Sequence, residues 1–396
     1  MERVALREAA LRVLTRVLSD RKTLEETLED FFRSGDFDPQ DKAWLQEVCS
    51  GTLRYKGRLE LIIDSIALKK KPSGGLRKTL LIGAYQIIAQ EKVEPAWIVS
   101  ETVDLIKRKE GQAPAKFANA LLRRVADHAK EWRAMELNPA AKEDEIADFC
   151  SLPFWLYKRL SKSHGRDWVM AYAKASLERP VTWIRAKDSA DASKWGEPGI
   201  ISQSYRTTEK CAIPERAGFN EGQFFVQDIS GQFLVSEICR EVAAKWGEKF
   251  TALDLCAAPG GKSMGLAWNG VQVTATDKDE RRFKMLRENI KRAAPGVQII
   301  EKKNLPGLPA QNLVWVDAPC TGTGIIRRHP DVKWLRREED IAKLNSVQKS
   351  LCLEGWGKVK SGGFLAYTVC SVLPEEGPLL LEKILPMVWN LRKDRY

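Results

Sequence analysis

Two cysteines stand at the ends of apolar runs that read as β-strands. Asn312 to Val316 leads into Asp317-Ala318-Pro319-Cys320 and then Thr321-Gly322-Thr323-Gly324, and Gly362-Gly363-Phe364-Leu365-Ala366-Tyr367-Thr368-Val369 leads into Cys370. In an open parallel sheet, ligands sit at the carboxyl ends of the strands. Two thiols and one carboxylate are therefore expected on one ligand-facing edge, where apolar filling is not needed. Such a set suits covalent catalysis: one thiolate attacks an electron-poor carbon, and a second acid/base group assists its release. C5 of cytosine needs this help, because only after a thiolate adds to C6 can it attack a methyl sulfonium. Asp317 would then face the N3 and exocyclic amine edge of the base, where charge develops.

The turn after an earlier strand, FTALDLC, reads Cys256-Ala257-Ala258-Pro259-Gly260-Gly261-Lys262 and opens a helix. Small residues let a ligand approach the backbone, and a helix amino terminus offers free N–H groups. A phosphate-binding P-loop would need glycine at Cys256, and a dinucleotide fingerprint would need GxGxxG; neither is present. The next strand, VQVTATD, ends at Asp277, placed to hold both hydroxyls of a ribose. A nucleoside cofactor without a pyrophosphate fits best, against the plainer reading of a turn that only packs helix on strand.

The remaining cysteines Cys49, Cys150, Cys211, Cys239 and Cys352 read as inert small apolar residues. No CxxC pair occurs, and His128, His164 and His329 are far apart, so neither a disulfide framework nor a metal site is expected. The formal charge of +11 favours a polyanionic partner. No stretch approaches the roughly 18 apolar residues of a membrane span, and the first twenty lack a signal-peptide core, so a cytoplasmic location is expected.

Around these motifs the chain divides into three. From Val4 to about Arg124 apolar residues recur at helical spacing, and SGDFDPQD, KKKPSGG and EGQAPAK break the pattern into several helices. A polar linker follows, at about 131–148. Residues 151 to about 225 mix a helix-like LPFWLYKRL with strand candidates RPVTWIRAK and GQFFVQD. Beyond Gln227, strands alternate with helices, as in a doubly wound parallel sheet. The predicted architecture is multidomain: an all-α domain over 1–135, a small α+β linking subdomain over 136–228, and an α/β Rossmann-like domain over 229–396.

Taken together and in order, CAAPGGK, Asp277, DAPCTGTG, IIRRHPDVKWLRR and YTVCSVLPEE resemble the bacterial 16S rRNA cytosine-5 methyltransferases of the RsmB/NOP family. The match spans nearly the whole chain, and Ile325 to Arg337 is its most specific part. Through GTLRYKGRLE, LLIGAYQIIAQ and FANALLRR, the N-terminal third resembles the NusB-type RNA-binding domain. The resemblance implies a class I methyltransferase fold and S-adenosyl-L-methionine as cofactor, held by Cys256 to Lys262, Asp277, Asn304 and Asp317. It implies Cys370 as the residue that attacks C6, Cys320 as the one that releases product, and 16S rRNA or a small-subunit assembly intermediate as partner. Arg185 falls in the linking subdomain. Three departures stand out: Val369 occupies a position where the family has threonine, Asn304 replaces an aspartate, and the family continues past this C-terminus into a helix and a strand hairpin that completes the sheet. They predict weaker thiolate activation and an open sheet edge, and leave an RNA-binding ribosome-assembly factor with weakened or lost activity as the alternative. Arg327, Arg328, Lys333, Arg336 and Arg337 are expected to steer RNA, with Trp334 packing. Lys69-Lys70-Lys71 and Arg123-Arg124 read as solvated helix faces.

Overall fold

The computed structural model describes residues 3–68, 70–138, 140–187, 194–207 and 212–393; Lys69 and Cys211 lie outside them. It forms two compact units. The first comprises Met1–Arg179, Thr321–Asp340 and Ser371–Leu373, and the second the remainder.

The first unit is helical: α1 (Arg3–Leu18), α2 (Leu24–Ser34), α3 (Pro39–Ile66), α4 (Gly74–Ala89), α5 (Pro95–Glu110), α6 (Gln112–Asp127), α7 (Ala129–Arg133), α8 (Glu143–Phe149), α9 (Phe154–His164) and α10 (Arg166–Leu177). The breaker SGDFDPQD works as a cap. Asp38 accepts a hydrogen bond from the Asp41 N–H at 2.8 Å, and Pro39 opens α3, where no N–H is required. The apolar stripes then close two cores, one around Leu14, Leu45, Leu53 and Ile82, the other around Ile63, Leu80, Ile87 and Leu122. Gly51 is required where α3 meets α4, since a Cβ there would lie 1.9 Å from the Tyr85 ring.

The expected linking subdomain, taken from residue 136, is shorter than that. Helices α8 to α10 belong to the first unit, because α3 is pinned to the α8 end by polar as well as apolar contacts: the Gly57 N–H donates to Ser151 Oγ, Ser151 Oγ to the Arg54 carbonyl, and Arg58 Nε to the Phe149 carbonyl. Only beyond Pro180 does the chain form a small antiparallel sheet in the order β2-β3-β1-β4, from β1 (Trp183–Ala186), β2 (Glu197–Pro198), β3 (Ser204–Arg206) and β4 (Phe224–Val226).

The second unit continues through α11 (Ile229–Trp246), β5 (Thr251–Asp254), α12 (Gly261–Trp268), β6 (Gln272–Ala275), α13 (Glu280–Ala293), β7 (Gln298–Ile299) and β8 (Gln311–Asp317). After the short α14 (Val332–Leu335), which belongs to the first unit, come α15 (Asp340–Trp356), β9 (Val359–Thr368) and α16 (Pro378–Lys393). The five strands β5 to β9 are all parallel, in the order β7-β6-β5-β8-β9. Buried on both faces, β8 is a nearly unbroken apolar run from Leu313 to Val316.

The arginine- and lysine-rich stretch after Cys320 does not form a free basic surface. Lys333 is wholly buried in the first unit and donates to the Arg54 carbonyl at 2.9 Å, while Trp334 Nε1 donates to the Leu53 carbonyl at 2.7 Å. Asp331 accepts the Leu24 N–H, Arg327 donates to the Arg179 carbonyl and pairs with Glu178, and Arg336 donates to the Thr321 carbonyl. The stretch is a packing strap on α2 and α3, and the expectation of RNA steering is corrected for Lys333. Trp334 packs, as expected, with Lys56 4.3 Å over its ring.

Burial, reinforced by Arg54 and Lys56, pulls the Lys333 amine well below its ordinary value. Between that lowered value and the free lysine value the unfolded chain holds more protons than the folded one, so this site's cost to folding fades as pH rises toward the free lysine value. Lys333→Met leaves the Arg54 carbonyl bonded to Ser151 and removes the titrating group. Urea unfolding at successive pH values between 7 and about 10 is expected to show the parent gaining stability relative to Lys333→Met; a pH-independent difference refutes the assignment.

Candidate active site

The glycine turn connects β5 to α12. Gly260, at φ +113°, adopts a backbone geometry that side-chain-bearing residues rarely take, and it caps the amino end of α12. The turn is held against β6 by Ala257 N–H to the Thr276 carbonyl at 3.0 Å and Ala258 N–H to Asp277 Oδ2 at 3.1 Å. The other Asp277 oxygen accepts the Asp279 N–H at 3.1 Å. Each carboxylate oxygen thus keeps acceptor capacity beyond its backbone bond. A cavity of about 730 Å³ opens here, lined by Cys256, Asp277, Arg282 and Lys302 on its polar side and by Leu255, Pro319, Val347 and Leu351 on its apolar side. Asn289 Nδ2 and the Arg282 guanidinium both donate to carbonyls of the turn, at Pro259 and Ala258.

The strand register brings the reactive groups together. In the β8–β9 pair Asp317 lies opposite Thr368, so Cys320 and Cys370 follow neighbouring strand ends. Their sulfurs are 3.2 Å apart. Cys320 is buried and Cys370 exposed. Hydrogen bonding from Cys320 draws the Cys370 thiol below its ordinary value, against burial and the Asp317 charge, with Lys262 adding to the lowering. Asp317 is clamped on both oxygens: Lys262 Nζ reaches Oδ2 at 2.5 Å and the Thr368 hydroxyl donates to Oδ1 at 2.9 Å, itself accepting from Trp315 Nε1 at 2.9 Å.

Of the residues anticipated from sequence, Cys256 and Asp277 line the cavity, Ala257, Ala258, Pro259, Gly260 and Gly261 form the turn beside it, and Lys262 with Asp317 stands at the thiols. Asn304 is not brought to them. It is exposed on a helical turn, Lys302–Gly307, and lines a separate cavity over Thr251, Gln272 and Gln298, the residues that begin β5, β6 and β7. Lys302, two residues earlier, reaches the cofactor-side cavity instead, where it pairs with Glu354. Val369 packs its side chain into the apolar cluster with Val316, Leu365 and Leu380 rather than against the thiols. Sequence reading missed Thr368 and Trp315, the relay behind Asp317; the available signal was that Thr368 ends the strand two residues before Cys370. It also missed Asp254 at the end of β5, whose carboxyl burial raises to about 6 despite the Ser263 hydroxyl on Oδ2.

Comparison with known proteins settles the kinship. A family model described as 16S rRNA methyltransferase RsmB/F matches residues 243–394, and the NusB family model matches residues 5–127. Ribosomal RNA small subunit methyltransferase B of Citrobacter koseri is 34% identical, with 95% of this chain and 89% of the relative covered. The same-named protein of Escherichia coli O17:K52:H18 is 33% identical, covering 96% and 90%. The chain belongs to the ribosomal RNA small subunit methyltransferase B family. The crystal structure of PH0851 shares the fold, with a TM-score of 0.72 at 21% identity over 98% of this chain and 90% of that one. A methyltransferase homologue from Pyrococcus horikoshii gives 0.50 at 22% identity, over 63% and 83%. No helix among the described residues is long and apolar enough to cross a membrane.

The thiol geometry predicts a specific pH profile. Cys49, Cys150, Cys239, Cys256 and Cys352 are all pushed above the ordinary thiol value by burial, whereas Cys370 is lowered. Alkylation by iodoacetamide, followed by peptide mass spectrometry, is expected to label Cys370 first, with a midpoint below the free-cysteine value of about 8.5. In Cys320→Ala that midpoint moves up; an unchanged midpoint shows that Cys320 does not tune the thiol.

Proposed function

We propose that this protein transfers a methyl group from S-adenosyl-L-methionine to C5 of a cytosine in 16S rRNA, through a covalent bond between Cys370 and C6. The observation that carries this reading is the pair of thiols 3.2 Å apart beside a doubly clamped carboxylate. The family membership supports the substrate class and the cytoplasm, where ribosomal subunits assemble, as the place of action.

The residues present fit the cofactor. The two Asp277 oxygens keep lone pairs for ribose hydroxyls, the small residues of the turn admit a close approach to the backbone, and Val347 and Leu351 provide apolar surface for a purine. When bound, S-adenosyl-L-methionine supplies an electrophilic methyl on sulfonium sulfur. The protein makes C5 nucleophilic enough to take it. The Cys370 thiolate forms a bond to C6, and the electron pair displaced from the C5–C6 double bond is shared between C5 and the N3 side of the ring. Asp317, held by Lys262 and Thr368, orients that edge of the base and steadies the developing charge. After methylation the C5 proton leaves to a base, the C5–C6 double bond re-forms and the C6–S bond breaks, returning the electron pair to Cys370. Cys320, at hydrogen-bond distance from the departing sulfur, assists that release.

The cytosine must leave its stack to reach Cys370, which is easiest in a loop of RNA or in an assembly intermediate. The NusB-type helical domain presents the RNA, and the small antiparallel sheet links it to the catalytic domain.

Incubating small-subunit RNA with labelled cofactor is expected to yield 5-methylcytosine at one position; absence of product at any RNA cytosine sinks the proposal. Cys370→Ala is expected to abolish both adduct and product, whereas Cys320→Ala accumulates a protein–RNA adduct stable to denaturing gel electrophoresis. An adduct that appears only when Cys370 is removed reverses the two roles. Asp277→Ala, titrated with S-adenosyl-L-methionine by calorimetry, is expected to lose about tenfold or more in affinity, from the loss of charged-group hydrogen bonds of roughly 1.5–3 kcal/mol.

A further inference from the structure

The helical unit contains a cavity of about 360 Å³ that the methyl-transfer site does not use. It lies where α3, α4, α7 and the end of α10 meet. Its walls carry four guanidinium groups, Arg54, Arg58, Arg133 and Arg179, and three aromatic rings, Tyr55, Tyr85 and Trp132, over an apolar floor that includes Ile62 and Ile88. The volume is at the small end of ordinary ligand sites.

Two residues of the cavity wall each carry one buried donor without a partner. Arg54 is only 3% exposed; its Nη2 donates to Ser50 Oγ and to the Arg327 carbonyl, but its Nε has no partner. The indole N–H of Trp132 is likewise buried and unpartnered. The fold itself therefore leaves part of this wall's polar chemistry unsatisfied. The acids around the site are already engaged: Glu91 lies 3.5 Å from Arg133, Glu178 is 3.0 Å from Arg327, and Glu47, behind the wall, accepts from both Tyr85 and Arg179. Burial lowers the Arg54 and Arg58 guanidinium values from the ordinary one, so an anion would relieve a real desolvation cost.

We infer that this cavity is a binding site for one unstacked nucleotide of RNA, with the base against the Tyr55, Tyr85 and Trp132 rings and its phosphate at the arginines. Guanidinium groups recognise phosphate, and aromatic rings beside them recognise the face of a base, which is how single-stranded RNA is held without regard to sequence. The ring pair Tyr55 and Tyr85, 6.0 Å between centroids, offers adjoining flat surfaces on neighbouring helices. A simple anion would use the arginines and leave the rings idle.

The site rests on RNA being the substrate, and the test separates the two. The full-length protein is titrated with a labelled ten-nucleotide RNA of mixed sequence carrying one 4-thiouridine. Ala89→Phe places a ring in the cavity without changing any charge, and Trp132→Phe removes only the unpartnered N–H and part of a ring. The expected results are a dissociation constant raised about tenfold by Ala89→Phe, as for the loss of one stacked base, a smaller rise with Trp132→Phe, and photo-crosslinks in peptides holding Tyr55 or Trp132. With small-subunit RNA, both variants raise KM and keep kcat at saturation. Parent-like affinity in both variants, at unchanged melting temperature, overturns the site, as do crosslinks confined to other peptides. Should Ala89→Phe fail to fold, Trp132→Phe and the crosslink map decide. If the parent methylates no RNA yet crosslinks here, the proposed reaction falls and the cavity stands.

Discussion

The second unit depends on one constraint: β8 and β9 run parallel in a register that sets Asp317 opposite Thr368. Parallel pairing makes both strands end at the same edge, and each carries a cysteine just past its end. A shift of one residue would turn Thr368 to the other face and leave Asp317 without its second clamp. The Thr368–Asp317–Lys262 and Trp315–Thr368 hydrogen bonds are made only in this register. The register thus brings the two thiols together, with the sulfurs 3.2 Å apart.

The same edge holds the cofactor-side cavity. The turn after β5 is tied to the end of β6 by the Ala257 and Ala258 N–H groups, so the backbone of the turn fixes Asp277. Asp254, buried at the end of β5, has its carboxyl pushed up to about 6 by desolvation and accepts a hydrogen bond from the Ser263 hydroxyl in the first turn of α12. Polar groups here are fixed by neighbours before any ligand arrives, which lowers the reorganisation that binding and reaction demand.

In the helical unit the polar burial serves packing. Lys333 and Trp334 plug into carbonyls at Arg54 and Leu53, so a stretch rich in positive charge is used as a strap. Its cost is the desolvation of an amine, offset by the apolar contacts that Trp334 makes with the α1–α3 core. The Arg54 Nε and the Trp132 indole N–H are buried without a partner.

Much of this was legible in the chain. The strand–turn–helix alternation, the CAAPGGK turn, Asp277, and the paired strand-end cysteines all follow from local patterns of apolar period, glycine and sequence order. Those patterns determine which elements form and which ends of strands carry chemistry. Three things only tertiary structure decided. Asn304 lines a different cavity from Cys256 and Asp277, because the turn Lys302–Gly307 redirects the chain, and no local pattern reports direction. Val369 packs against the apolar cluster, a contact that its place beside Cys370 in sequence does not announce. Lys333 is charge in composition but filling in fact, because a lysine's stem packs like a hydrocarbon and only its neighbours decide whether its amine reaches water.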